Sequence, residues 1–356
     1  MSMSWKPNWR QTRQRLIDWW NHKGMVLNVD APTDKPVEDI SKPPEEPDAE
    51  KLWTDPLIRL RHLEYRLSTR YFGSDKFPFI DTQLGPGSLG TFLGARPHFV
   101  PRTVWYDPCI DDPDTFGPIR FDPQNHWFKV HMELVDQALK ISRGRFTVGI
   151  PDLIENIDTL SAMRGTEQTL MDVIERPDWV HRCLGEINEA FFSAFQAFFG
   201  KVRDEEDGNC FAAFNIWAPG RTAKVQCDFS AMISPAMFND FVLPYLDQQC
   251  RWLDYSMYHL DGTTALQHLD SLLSIEALDA IEWTPQPNFE RGGHKRWYDL
   301  YKQIKRAGKS IQVLGVMLKD LKPLFDTVGP EGIYILTYAD SQAEADKMIE
   351  IADSYR

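Results

Sequence analysis

Residues 256–283 read SMYHLDGTTALQHLDSLLSIEALDAIEW, and the alternation inside this stretch decides the fold. SMYHLDG and LDAIEW are short apolar runs of strand length, and ALQHLDSLLSI between them has apolar residues at helical spacing. The same unit recurs in both directions. Further strands are predicted at KFPFIDT (76–82), FTVGIP (146–151), CFAAFNIW (210–217), SIQVLGV (310–316) and GIYILTY (332–338). Amphipathic helices separate them, among them HWFKVHMELVDQALKI (126–141), WVHRCLGEINEAFFSAFQAFF (179–199) and RWYDLYKQIKRA (296–307). Near-continuous apolar strands, each followed by a helix, imply a parallel sheet covered on both faces.

Seven such strands and one irregular one predict an α/β protein of the (β/α)8 TIM-barrel class with an N-terminal helical extension. A doubly wound sheet would offer a glycine-rich first turn, and neither GxGxxG nor GxxxxGK[ST] occurs. No nucleotide cofactor is therefore expected. LGPGSLGTFLG (84–94) is rich in glycine but lacks that spacing, and reads as an irregular loop after a strand.

Ahead of the alternation, residues 8–21 form an amphipathic helix with Leu16, Trp19 and Trp20 on one side. Residues 31–50 are rich in proline and acids without periodicity, an extended arm, and a second helix follows at 55–71. The division predicted is 1–54 for helix and arm and 55–356 for a single barrel. The extension is placed to wrap a second copy in a homodimer.

The 356 residues are 42% hydrophobic and 26% charged, an ordinary globular balance. The formal net charge of −13, with no compensating basic patch, argues against nucleic-acid binding. Five cysteines, Cys109, Cys183, Cys210, Cys227 and Cys250, include no CxxC pair, and an odd count does not build a disulfide framework. No apolar run approaches the roughly 20 residues of a membrane helix. The N-terminus lacks an apolar leader core, so the expectation is a soluble cytoplasmic protein with no membrane association.

In a barrel of this kind the chemistry sits where strands end and loops begin. The polar residues there are Asp81, Asp152 with Glu155 and Asn156, Asn215 with Trp217, His259 with Asp261, Glu282 with Trp283, and Tyr338 with Asp340; Arg221, Gln226, Cys227 and Asp228 follow in a long loop. YHLDG is the sharpest motif. Strand alternation puts His259 and Asp261 on one face, where they either hold a metal or act as a base and its orienter. The competing reading is a histidine satisfied by backbone and an aspartate capping the next helix. Cys227 is either a metal thiolate or a small buried hydrophobe. Asp228 either binds a polar substrate or caps a turn, and Arg221 either meets an anion or lies on the surface. His259, Asp261 and Glu282 are the catalytic candidates. Asp81, Asp152, Asn156, Trp217, Arg221, Asp228, Trp283 and Tyr338 are the candidates for binding a small-molecule substrate, and His259, Asp261 and Cys227 for binding metal. Ser234 with Pro235 is a helix start.

Three stretches carry a resemblance: GIPDLIENIDTLSAMRGTEQTLMDVIERPDWV (149–180), DFSAMISPAMFNDFVLPYL (228–246) and YHLDGTTALQHLDSLLSIEALDAIEW (258–283). From about residue 55 onward the chain resembles the uroporphyrinogen decarboxylase superfamily, which holds that decarboxylase and the corrinoid-linked methyltransferases. The resemblance implies a (β/α)8 barrel. Two departures bear on function. The arginine-rich RQAGRY motif that grips substrate carboxylates in the decarboxylase is absent from the first 80 residues. The His-x-Cys pair of the zinc methyltransferases is here His259-Leu260-Asp261, and their later cysteine has no match around YILTYADS (334–341).

The leading expectation is methyl transfer from a small, polar, methylated substrate, with zinc as the metal and a corrinoid on a partner protein as acceptor. A decarboxylase or lyase acting on a carboxylated substrate is the first alternative, with Arg164 or Arg221 as the cation. A carbohydrate-active enzyme with paired carboxylates, and Trp217 and Trp283 as stacking platforms, is the second. A non-catalytic binding or sensing protein is the third.

Overall fold

The computed structural model describes residues 3–356; Met1 and Ser2, at the head of the segment read as leaderless, lie outside the described residues. Twelve strands run in chain order: β1 (Val26–Asp30), β2 (Phe79–Asp81), β3 (Arg96–Val100), β4 (Thr103–Asp107), β5 (Thr147–Gly149), β6 (Gly208–Phe211), β7 (Ile216–Pro219), β8 (Thr222–Gln226), β9 (Tyr255–Asp261), β10 (Ala280–Thr284), β11 (Ser310–Leu314) and β12 (Ile333–Tyr338). Six of them form one parallel sheet in the order β1-β12-β11-β10-β9-β8. β2 and β5 form a separate parallel pair. Single parallel bridges, Ile150 to Phe211 and Gly208 to Gly220, tie that pair to β6 and β6 to the start of β8. The outcome is a mixed α/β fold built on a six-stranded parallel sheet.

The ladder does not close into a ring, since no strand pairing joins β1 to β2 among the described residues. That seam is held through Asp75 instead. Its backbone N–H donates to Leu27 O at 3.1 Å, and its carboxylate accepts from Leu27 N at 2.9 Å. Arg15 pairs with the same carboxylate at 3.0 Å, and Arg356 also hydrogen-bonds to it.

Two strands differ from the sequence reading because buried polar residues disguise them. β1 contains Asn28, fully buried and donating to Tyr334 Oη at 2.9 Å. β8 contains Lys224, whose side chain is wholly buried against Asp152 at 2.8 Å. CFAAFNIW, read as one strand, is a hairpin: Cys210–Phe211 belong to β6 and Ile216–Trp217 to the antiparallel β7. Phe214 and Asn215 at its turn adopt left-handed backbone, with φ of 60° and 55°. Non-glycine residues pay for that conformation, and such strain collects at functional sites. Gln312 Nε2 donates to Phe214 O at 2.8 Å and Tyr334 Oη donates to Asn215 O at 2.6 Å, which fixes the turn to β11 and β12.

Within the segment 1–54, β1 pairs with β12 along its whole length. The first helix, Trp9–Trp20, packs Trp9, Leu16, Trp19 and Trp20 into the core of its own chain. Trp20 Nε1 donates to Trp217 O at 3.0 Å, and Trp19 O accepts from Ser310 Oγ at 2.5 Å, at the N-terminal end of β11. The arm at 31–50 is largely extended and exposed. No helix among the described residues is long and apolar enough to cross a membrane.

Candidate functional site

β9 delivers His259 and Asp261 to its C-terminal end on one face, as alternation requires. β8 ends at Gln226, and the turn that follows places Asp228 beside them. One donor atom each from Asp228, His259 and Asp261 lies within 4.8 Å of the others. Asp261 opens the short helix Gly262–Ala265 but its side chain makes no capping hydrogen bond, so the carboxylate is left to the cluster. Gly262 leaves the strand at φ 75°, and a Cβ there would meet Gln286 Oε1 at 3.0 Å. That oxygen accepts from Thr263 N at 2.7 Å, which fixes the exit from β9.

Glu282 stands in register with His259 on the neighbouring strand β10. His259 Nδ1 hydrogen-bonds to Glu282 Oε2, and Thr284 Oγ1 donates to Oε1 at 2.7 Å. Glu282 is completely buried. Burial acts to lower the His259 pKa, but the charge and hydrogen bond of Glu282 outweigh it and hold the pKa above its ordinary value. Burial raises Glu282 as well, against the pull of the imidazole. The pair thus keeps a proton to higher pH than either group in water. With Nδ1 committed, Nε2 is the ring nitrogen available to a ligand. The ring of Phe214 lies 4.7 Å from the imidazole, which ties the strained turn to this site.

A buried polar network supports Asp228. Gln226 Nε2 donates to Asp228 Oδ2 at 3.0 Å and to Asp158 Oδ2 at 3.2 Å. Asp158 also accepts from the backbone N–H groups of Asp228 and Phe229, both at 2.8 Å. Burial and the nearby Asp228 charge raise Asp158 to about 6. Glu155 accepts from Gln226 N at 2.6 Å, and burial pushes it up to about 8 despite the Lys224 ammonium. Lys224 hydrogen-bonds to Gln226 Oε1 and pairs with Asp152. Glu155 stands among the strand-end polar residues of the sequence, whereas Asp158 and Lys224 were not among the sequence candidates. Lys224 and Gln226 alternate along β8, a signal visible only once TAKVQ is recognised as a strand.

A cavity of about 590 Å³ opens at the C-terminal ends of β1, β2, β11 and β12. Asp81 and Tyr338 line it, as does Asn215, next to the Phe214 that packs on His259. Its cations are Arg66, Arg70 and Lys76, none of them a sequence candidate.

The remaining candidates fall elsewhere. Cys227 is buried, its thiol pushed well up by burial, and it is not one of the three clustered donors. Asn156 is buried and exchanges hydrogen bonds with Gln249. Trp217 donates to Asp204 and packs on Trp9, and Trp283 is wholly buried against Trp297, so neither offers a stacking face. Arg221 precedes β8, at the opposite end of that strand from Asp228, and pairs with Asp254 at 3.2 Å. Arg164 is held by Asp172 and by the carbonyls of Ile110 and Asp111. Ser234 caps its helix by accepting from Met237 N at 3.3 Å, with Pro235 in the first turn.

No protein-family model and no curated protein matches the chain. Among solved structures it resembles a methyltransferase from Methanosarcina mazei, with a TM-score of 0.61 at 14% identity, over 97% of this chain and 98% of that one. At that identity the likeness is one of fold.

Proposed function

We propose that this chain is a metal-dependent methyltransferase of the uroporphyrinogen decarboxylase superfamily, its parallel strands the staves of a (β/α)8 barrel. Its substrate is a small, polar, methylated molecule and its methyl acceptor a corrinoid on a partner protein. The observation that carries the reading is the convergence of Asp228, His259 and Asp261 at the C-terminal ends of β8 and β9. The fold shared with the Methanosarcina mazei methyltransferase and the sequence resemblance support it.

The donor set fits a divalent ion. One imidazole nitrogen and two carboxylates suit zinc, and the absence of thiolate favours a harder ion more than a sulfur-rich site would. Bound there, the ion supplies a Lewis acid that draws electron density from the heteroatom carrying the methyl group. His259 presents Nε2 because Glu282 holds Nδ1, which fixes both tautomer and ring plane. Asp228 is oriented by Gln226, and Asp158 fixes the backbone on either side of that carboxylate. Phe214 packs against the imidazole, with ring centroids 4.7 Å apart.

The test uses zinc-loaded protein with free cob(I)alamin as acceptor and methanol, a methylated amine or a methylated thiol as donor. The methyl group leaves the heteroatom, which keeps the bonding electron pair and takes up a proton, and the reduced corrinoid supplies the electron pair of the new bond. The expected result is a methylcobalamin spectrum with at least one donor, lost in His259→Ala. Absence of that spectrum with every donor class, or full activity in His259→Ala, refutes the proposal.

A further inference from the structure

The cavity at the C-terminal ends of β1, β2, β11 and β12 has charge to spare. Arg66 lies in the last turn of the helix Pro56–Ser68, Arg70 just beyond its end, and Lys76 ahead of β2. Two carboxylates share the wall with these three cations, which leaves one positive charge in excess. Both acids are already engaged. Asp30 stands between Lys76 at 3.3 Å and Arg70 at 3.5 Å. Asp81 accepts two hydrogen bonds from Gln83, at 3.0 and 2.7 Å. The Arg66 guanidinium has no hydrogen-bond or ion-pair partner among the described residues.

Behind this wall a further cation adds to the field. Arg59 is half-buried, its Nε without a partner, and burial with the Arg66 charge nearby lowers its pKa to about 10 despite Asp81. Elsewhere the cavity is apolar, lined by Leu63, Leu67, Phe79 and Leu336. A partly desolvated cationic wall beside an apolar floor selects a ligand with one anionic end and an apolar body, since an anion meets less competition from water there.

We infer that this cavity is a binding site for a small carboxylate-bearing molecule, its carboxylate held by Arg66 with Arg70 and Lys76 and its apolar part on Leu63, Leu67 and Phe79. The site stands on its own residues, whether or not the cluster at Asp228, His259 and Asp261 holds a metal. Within the proposed reaction it would give the substrate, beside its polar methylated group, a carboxylate at a second point.

The test is calorimetric titration of the full chain with hexanoate, its uncharged counterpart 1-hexanol, and inorganic phosphate. Because a charged hydrogen bond and ion pair separate the first two ligands, hexanoate is expected to bind at least about tenfold more tightly than hexanol. Arg66→Gln, an exposed position whose replacement leaves the core intact, is expected to erase that difference without changing the melting temperature. His259→Ala, by contrast, binds hexanoate as the parent does, which keeps this result separate from that of the methyl-transfer reading. Equal affinities for hexanoate and hexanol, a preference for phosphate over hexanoate, or an Arg66→Gln variant that retains the preference would each overturn the inference.

Discussion

His259 and Glu282 face each other in register on adjacent parallel strands, and the imidazole Nδ1 hydrogen-bonds to a carboxylate that water does not reach. The ordinary alternative, a core histidine satisfied by backbone, leaves Nε2 without a purpose. With Nδ1 engaged, Nε2 is the nitrogen that the proposed metal site, with Asp228 and Asp261, would use, and Glu282 is then the group that orients it.

Glu282→Gln tests that orienting role. The amide preserves size but lacks the charge that holds the His259 pKa up. Zinc affinity is expected to fall by about 10- to 100-fold, the range for loss of such outer-shell partners. Competition with a chromophoric chelator reads this directly, and an unchanged affinity would count against the role.

Glu155 gives a pH signature in stability. Its folded pKa of about 8 lies above the ordinary 4.5, chiefly through burial. Its contribution is therefore fully present below pH 4.5 and is lost as pH rises through 8. Over that window the parent is expected to lose up to about 1.4 kcal/mol per pH unit relative to Glu155→Gln, whose amide oxygen still accepts from Gln226 N. Urea unfolding of the two proteins at pH 5 and pH 8 measures the difference, and parallel stabilities would contradict it.

His131 works in the opposite direction. It is fully buried between Phe92 and Phe198, and burial lowers its pKa to about 3. A depressed value makes its contribution present above pH 6.5 and lost as pH falls towards 3. His131→Phe is expected to flatten the acid limb of the stability curve between those limits, at the loss of one contact with Thr82 Oγ1 at 3.3 Å. An unaltered acid limb would mean the histidine is already solvated.

Trp283 separates packing from recognition. Its indole is wholly buried and its Nε1 has no partner, so Trp283→Phe removes an unpaired donor while keeping an aromatic ring. The phenylalanine variant is expected to retain metal and ligand binding, whereas Trp283→Ala should cost about 3–5 kcal/mol through cavity formation. Loss of ligand binding in a stably folded Trp283→Phe protein would restore the indole as a recognition element.

What the sequence reveals and conceals follows from where polar residues lie. SMYHLDG and LDAIEW are legible because their inward positions are apolar until the strand end, so alternation marks both the strand and its chemistry. MVLNVD and TAKVQ are concealed because Asn28 and Lys224 sit in mid-strand, each paired with a residue far away in sequence, Tyr334 and Asp152. The same distance effect hides the cationic cavity: Arg66 and Arg70 read as the outward face of a surface helix until the fold sets them on one cavity with the ends of β1, β2 and β12. Trp217 and Trp283 stand at strand positions that suggest recognition, yet alternation turns both indoles into packed layers.

The most direct measurement is metal content by mass spectrometry on zinc-equilibrated, desalted protein, for the parent and the variants Asp228→Asn, His259→Ala and Cys227→Ala. The account predicts near-stoichiometric metal in the parent and in Cys227→Ala, with most of it lost in Asp228→Asn and His259→Ala while all four keep the same fold by circular dichroism. A folded parent that retains no metal, or metal that disappears with Cys227 and survives without Asp228, would contradict it.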